Sequence, residues 1–296
     1  LEDRHAWLPA GDWADARIQK LNEALTATGD FARKEQKFAV IMLGNSAPGG
    51  NNIVDGLLRY QLSRRHTQIY GYIKGLRGLE EDNLQIISEE DFAPYRNLGG
   101  YDYLGKSGER LGDEHLQMAA ESCKKHSLDG LILVGATHAL VDAVKLAALF
   151  DERKISTKVV AVPATLDGNL RHQYLQTTLG FDTCSKVYSQ LIGNMLTDSA
   201  SAIKYWYFIR LMGKDPSNLA LECALKTRPN MVLISEEASF RGESIQDLVI
   251  KIADLVAERA ADGKNYGTVL IPEGLLGHVA SFRSLMDELN VLFQQC

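Results

Sequence analysis

The chain has 296 residues, of which 45% are hydrophobic and 24% are charged, as in an ordinary globular protein. This composition excludes the disordered and fibrous classes and allows one large α/β domain or two small ones. With 32 Lys and Arg against 38 Asp and Glu, the net charge is −6, which predicts no general attraction to nucleic acid or to an anionic membrane.

Cysteine usage and hydropathy indicate the compartment. Cys123, Cys184, Cys223 and Cys296 stand singly, without Cys-x-x-Cys spacing, which argues against a zinc site or a disulfide framework and favours a reducing cytosol. No run of about 18 apolar residues occurs, and the first residues do not form a charged-then-apolar leader. We therefore expect a cytoplasmic protein with no membrane-spanning segment.

The first elements in chain order are a helix, a strand and a Gly-rich loop. Residues 14–29 have helical spacing of apolar residues, so we predict a helical extension over residues 1–36. A buried-strand run at 37–43 is followed by a Gly-rich loop at 44–52 and by a helix that begins at about residue 53. In this order, the loop N–H groups and the helix N-terminus can face a phosphate. The loop matches neither the Walker pattern nor GxGxxG, so a structural turn is the alternative.

Strands and helices alternate along the rest of the chain. Predicted strands cover residues 68–73, 130–134, 158–162, 205–212, 231–234 and 267–271. Predicted helices cover residues 113–125, 139–150, 181–196, 244–260 and a last stretch that ends at 293. Gly-rich loops are predicted around 75–78 and over 98–108. The alternation predicts right-handed βαβ units and a mostly parallel sheet with helices on both faces.

The carboxyl ends of the predicted strands carry residues suited to phosphoryl transfer. In the stretch PATLDGN at 163–169, the apolar run stops at Pro163 and delivers Asp167 to a loop, where it can accept a proton from a substrate hydroxyl. An Asp-Gly turn is the alternative. We expect this end to share one sheet edge with the ends of four other strands. They carry a phosphate cradle at 44–52, a turn at 135–138, a Gly-Lys pair at 212–214 and a Glu at 272–274. His138, in the turn, is more often a polar cap than a base or a ligand at such a position.

Several blocks in this order resemble the phosphofructokinase superfamily. They are APGGNN at 47–52, GFDTCSKVYSQLIGN at 180–194, RLMGK at 210–214, LECAL at 221–225 and YGTVLIPEGL at 266–275. Between 180 and 275 the sequence is most similar to the long diphosphate-dependent fructose-6-phosphate 1-phosphotransferases of plants and protists. The resemblance implies two Rossmann-like α/β lobes, Mg²⁺, oligomers and a glycolytic reaction in which diphosphate phosphorylates the 1-hydroxyl of fructose 6-phosphate.

The resemblance also implies domain bounds and residue roles. Residues 37–296 would hold the N-terminal lobe and most of the substrate lobe, without the later family segment that completes the sugar-phosphate site. Asp167 takes the position of the catalytic base. Substrate binding is implied for Thr165, Met212, Gly213, Lys214 and Glu273. The phosphate-donor site is implied for Gly44, Asn45, Gly49, Gly135, Thr137 and His138.

The chain departs from the family at the chemistry. Where the family has GGDDS, this chain has GATHA at 135–139, so Thr137 stands at the metal-binding Asp position and we predict that no metal ligand is retained. The family's PKTIDGD becomes PATLDGN, so Ala164 and Asn169 replace a lysine and an aspartate, and Asn45 replaces a glycine. Lys214 keeps the charge of a family arginine without its bidentate fork. Each lost charge costs roughly 3 kcal/mol of transition-state stabilisation.

Two functional hypotheses follow from the resemblance. The favoured one is an impaired, α-type regulatory or structural copy that binds fructose 6-phosphate and diphosphate, or fructose 2,6-bisphosphate as an effector. Such a copy would form a homo- or hetero-oligomer with a catalytic copy. The alternative is an active phosphotransferase with Asp167 as the base. A dinucleotide-binding oxidoreductase ranks far behind, because no acidic residue follows the first Gly-rich loop at the required spacing.

Overall fold

The computed structural model describes residues 35–63, 66–107, 111–170, 175, 178–213 and 217–295. The helix predicted over 14–29 lies outside the described residues. The strands are β1 (Gln36–Met42), β2 (Thr67–Tyr72), β3 (Leu84–Ile86), β4 (Gly130–Gly135), β5 (Lys158–Thr165), β6 (Leu179–Gly180), β7 (Tyr205–Leu211), β8 (Met231–Val232) and β9 (Tyr266–Pro272).

Helices occupy the connections between these strands. They are α1 (Gly50–Ser63), α2 (Leu76–Glu80), α3 (Glu89–Phe92) with a 3-10 turn (Ala93–Tyr95), α4 (Asp113–His126), α5 (Thr137–Glu152), α6 (Phe181–Ala202), α7 (Asn218–Thr227), α8 (Ser235–Arg241), α9 (Ile245–Ala261), α10 (Leu275–His278) and α11 (Ala280–Gln295). Within the described ranges, no helix is long and apolar enough to cross a membrane.

The first sheet has the strand order β3-β2-β1-β4-β5-β6 and is parallel except for β3, which runs antiparallel to β2. Adjacent strands β1 and β4 pair with Met42 opposite Val134, and all six residues of β4 are buried. The strand order reverses between β1 and β4, and in open α/β sheets such a reversal forms a crevice outside the carboxyl ends of the strands. The topology therefore predicts a ligand crevice at the ends of these two strands.

The second sheet is parallel, in the order β7-β9-β8. Its core contains Leu211, Leu219 and Leu270, and Leu166 and Phe181 from the end of the first sheet pack against it. The expectation that all strand ends share one sheet edge was therefore wrong. They lie on two carboxyl edges, one on each lobe, which meet through these contacts.

Several predicted bounds also differ from the structure. β5 does not stop at Pro163 but continues to Thr165. Pro163 pairs with Gly135 of β4 on one side, whereas β6 pairs with β5 only from Ala164 onward. Pro163 therefore has a strand neighbour on one side only, and there the missing proline N–H is tolerated. The loop predicted around 75–78 contains α2, and the strand predicted at 231–234 covers only Met231 and Val232.

Candidate active site

The anion loop, defined as residues 43–50, joins β1 to α1. Gly44 and Gly49 have left-handed φ values of 71° and 89°, which favour glycine. α1 begins at Gly50, before the predicted start, and its first turn carries no acidic side chain. Asn45 is exposed. The loop therefore brings the positive end of a helix dipole to the crevice, although the first three N–H groups of α1 already donate to backbone carbonyls.

The turn after β4 brings a second helix N-terminus to the same crevice. A Cβ on Gly135 would lie 2.7 Å from the carbonyl oxygen of Leu43, so the turn and the anion loop approach closely enough to require glycine. α5 begins at Thr137, and both Thr137 and His138 are exposed. Because β1 and β4 are neighbours, the two helix ends flank the point where the strand order of the sheet reverses, and an anion is favoured there.

Asp167 follows the next strand, β5, and is held by the end of that strand. The buried hydroxyl of Thr165 donates to Oδ2 of Asp167 at 3.2 Å and accepts from the Asp167 N–H at 3.2 Å. Asp167 itself is half-buried and Asn169 is exposed. Ala164 is fully buried in the core of the first sheet, so this position presents no charge to the crevice.

The carboxyl edge of the second sheet carries the predicted sugar-binding residues. The N–H of Gly213, where φ is 136°, donates to Oε2 of Glu273 at 3.3 Å, and the Glu273 N–H donates to the carbonyl of Leu211 at 2.8 Å. Met212 and Glu273 are exposed. These bonds fix the ends of β7 and β9 to each other. Lys214 lies outside the described residues.

Asn218, at the start of α7, joins the two edges. Its Nδ2 donates to the carbonyl oxygens of Asp167 at 3.4 Å and Gly168 at 3.2 Å. Gly168 has a φ of 65°, and a Cβ there would lie 2.6 Å from the ring of Phe181. The structure therefore places Asp167 where the lobes meet, beside residues of the second edge. Sequence reasoning missed Asn218, because it stands in none of the motifs.

The donor set at the crevice does not fit Mg²⁺. This ion prefers carboxylate oxygens, but the turn from Gly135 to His138 offers a hydroxyl at Thr137 and an imidazole at His138. Among the described residues, no group of three or more His, Cys, Asp or Glu side chains could hold a metal ion.

The fold and the site that lies where the strand order reverses can be compared with known proteins. The family model described as Phosphofructokinase matches residues 37–294. The chain belongs to the phosphofructokinase family. This confirms the resemblance read from the motifs.

The phosphofructokinase relatives include diphosphate-dependent enzymes. The chain is 39% identical over 264 residues to pyrophosphate–fructose 6-phosphate 1-phosphotransferase subunit alpha 2 of Arabidopsis thaliana, covering 88% of this chain and 42% of that protein. It is 41% identical over 258 residues to the pyrophosphate–fructose 6-phosphate 1-phosphotransferase of Treponema pallidum, covering 86% and 45%. It is 37% identical over 266 residues to the subunit beta of Solanum tuberosum, covering 89% and 47%. The chain thus spans less than half the length of these relatives.

Solved phosphofructokinase structures share the fold. Pichia pastoris phosphofructokinase in the T-state superposes with a TM-score of 0.69 at 23% identity, over 86% of this chain and 28% of that one. Pyrophosphate-dependent phosphofructokinase from Marinobacter aquaeolei gives 0.67 at 17% identity, over 85% and 64%. The predicted fold class, α/β with mostly parallel sheets and helices on both faces, is confirmed.

Proposed function

We propose that this phosphofructokinase-family chain binds diphosphate and fructose 6-phosphate between its two carboxyl edges but transfers the phosphoryl group slowly. It would then act as a regulatory or structural copy that assembles with a catalytic copy in the cytoplasm. Diphosphate would lie at the anion loop and the N-terminus of α5. Fructose 6-phosphate, or fructose 2,6-bisphosphate as an effector, would lie between Asp167 and Glu273.

The single observation that carries this proposal is the start of α5. Thr137 opens the helix at the place where the family resemblance implies a metal-binding carboxylate, and it is exposed to the crevice end of the sheet. A hydroxyl brings no charge to the transferring group, and each lost charge lowers the rate by roughly a hundredfold or more. Ala164 and Asn169 remove two further charged groups, so little turnover is expected.

The names of the relatives support assembly but do not separate the roles. Relatives named subunit alpha and subunit beta are 39% and 37% identical to this chain. Such similar values favour neither subunit type. The regulatory role therefore depends on the residues at the crevice.

One observation favours the alternative, an active phosphotransferase. The Thr165 hydroxyl donates one hydrogen bond to the Asp167 carboxylate and accepts another from the Asp167 backbone N–H, as expected for an oriented base. In that reaction Asp167 would accept the proton of the 1-hydroxyl of fructose 6-phosphate, and the hydroxyl oxygen would form a bond to one phosphorus of diphosphate. The bond between that phosphorus and the bridging oxygen would break, so that phosphate and fructose 1,6-bisphosphate are the two products.

A coupled assay with fructose 6-phosphate and diphosphate, run on the purified chain with added Mg²⁺, tests the two functions. We expect turnover near the detection limit, together with calorimetric binding of fructose 6-phosphate. Fast turnover that Asp167→Asn abolishes would establish the alternative instead. If the chain has neither turnover nor affinity for either substrate, the proposed ligands are wrong.

A further inference from the structure

A second segment, distant in sequence, supports the anion loop at both of its ends. We name residues 97–107 the strut. Ser107 forms an isolated parallel bridge with Leu43, where the loop begins. The carbonyl oxygen of Gly100 accepts from the N–H of Asn51 at 2.8 Å, just after the loop ends. The strut therefore contacts the chain at both ends of the loop.

The strut and the anion loop pack too closely for added side chains. A Cβ on Gly100 would lie 2.8 Å from the carbonyl oxygen of Ala47 and 2.8 Å from Oγ of Ser46. A Cβ on Gly50 would lie 2.3 Å from the ring of Tyr101, which is 1% exposed and cannot move aside into solvent. The backbone of the loop thus rests directly on the strut.

Local bonds give the strut a fixed shape. Asn97 and Gly99 have left-handed φ values of 58° and 60°. The N–H of Gly100 donates to Oδ1 of Asp102 at 2.7 Å, and the N–H of Gly105 donates to the carbonyl of Tyr101 at 2.6 Å. A segment bent in this way can act as a rigid support.

Asn51 connects strut and loop through its side chain. It is fully buried, and its Nδ2 donates to the carbonyl oxygen of Leu98 at 2.9 Å. Its Oδ1 has no hydrogen-bond partner within the described part of the chain. The contact that matters is therefore the N–H donor, and a different side chain with a donor at the same distance from the backbone should replace it.

We propose that Asn51 is a positioning residue, which holds the strut against the anion loop and so sets the shape of the loop that would receive diphosphate. The identity of this ligand rests on the proposed function. Asn51 does not act on the reacting atoms but through the backbone, since preorganised donors bind and stabilise an anion only when their spacing is kept.

The test uses Asn51→Ala, Asn51→His and a matched control, Asn230→Ala. In the His variant, Nδ1–H can take the place of the amide donor. Asn230 also bonds to the backbone, since its Oδ1 accepts from the Thr268 N–H at 2.8 Å, but it lies in the second lobe. Two readouts are needed: amide hydrogen exchange of residues 43–51 and 97–107, and calorimetric affinity for inorganic diphosphate.

In Asn51→Ala, we expect exchange of both segments to rise about fivefold to tenfold and diphosphate affinity to fall by a similar factor or more. Asn51→His should restore both, and Asn230→Ala should change neither. Unchanged exchange in Asn51→Ala, or a rise spread evenly over the molecule, would overturn the positioning role. If the unaltered chain fails to bind diphosphate, the proposed function fails, while the exchange measurement still decides whether Asn51 holds the strut.

Discussion

Asp82, in the turn after α2, connects that turn to α4 through three side chains. Its carboxylate accepts from Oγ of Ser122 at 2.7 Å and Nζ of Lys125 at 2.6 Å, and it lies 3.0 Å from Nε2 of His126. Because Ser122 donates to Asp82, the buried hydroxyl of Tyr72 must donate to Ser122, at 2.8 Å. One carboxylate thus joins a surface turn to a buried tyrosine.

We expect Asp82→Asn to destabilise the first lobe by about 1 to 3 kcal/mol, because charged hydrogen bonds are lost while the shape is kept. Asp82 has a φ of 51°, which asparagine also adopts readily, so the change isolates the charge. Urea unfolding measures the effect. The neighbouring exposed pair Arg77–Glu81 provides the control, and Glu81→Gln should leave the unfolding free energy nearly unchanged. Equal effects of the two substitutions would contradict the role of Asp82.

The same carboxylate makes stability depend on pH. Burial alone would raise the pKa of Asp82, but the hydrogen bonds from Lys125, Ser122 and His126 outweigh it and lower the pKa from 3.8 to about 2. A lowered folded-state pKa gives stability that is present above the unfolded value and is lost as pH falls through the folded value. We expect about 2 kcal/mol to be lost between about pH 4 and pH 2 and this loss to be absent from Asp82→Asn.

At the scale of elements, α1 contains two glycines with opposite requirements, Gly50 at its first position and Gly56 in its middle. A Cβ on Gly50 would lie 2.3 Å from the ring of Tyr101 and 2.7 Å from the carbonyl oxygen of Gly100. A Cβ on Gly56 would meet nothing within 4 Å. We expect Gly50→Ala to destabilise the protein by about 1 to 3 kcal/mol through overpacking. Gly56→Ala should stabilise it by about 0.5 to 1 kcal/mol, because alanine is the better helix former.

Urea midpoints of the two glycine variants, compared at constant m-value, check this pair. A stabilised Gly50→Ala would mean that Tyr101 moves aside without cost, and it would also weaken the positioning role of the strut.

Elements with strong apolar patterns could be predicted from the sequence. β1, β4, α4 and α9 agree with prediction to within about two residues at each end, because long buried runs and helical periodicity dominate their local preference. α7 was missed, although Leu219, Ala220 and Cys223 are buried at helical spacing and could have indicated it. β8 was predicted too long, because an apolar run does not reveal that Ile234 caps α8.

The candidate site was predictable where it consists of strand ends. Gly44 follows β1, Gly135 ends β4 and Asp167 follows β5, so all three lie at the first carboxyl edge. The contacts that hold these residues could not be predicted in the same way. Asn51 and Asn218 act across 47 and 51 residues of sequence, and no local pattern encodes such distant partners.

At the scale of the whole molecule, the two lobes meet at the predicted ligand site. The Asn218 amide reaches the backbone of Asp167 and Gly168, and Leu166 and Phe181 pack into the core of the second lobe. A ligand that binds across both carboxyl edges stabilises the arrangement in which they meet, by mass action. Binding and the contact between lobes should therefore be coupled.

We expect saturating fructose 6-phosphate to slow amide exchange at both edges together, at residues 165–168 and at residues 211–213 and 273–275. Asn218→Ala should reduce this joint protection and weaken the affinity by about fivefold to tenfold, since it removes the bonds that hold the Asp167 turn to the second lobe. Asn230→Ala, which removes a backbone contact of the second lobe away from the edges, should leave the affinity unchanged. Protection confined to one lobe, or equal losses in the two variants, would show that the ligand does not bridge the lobes.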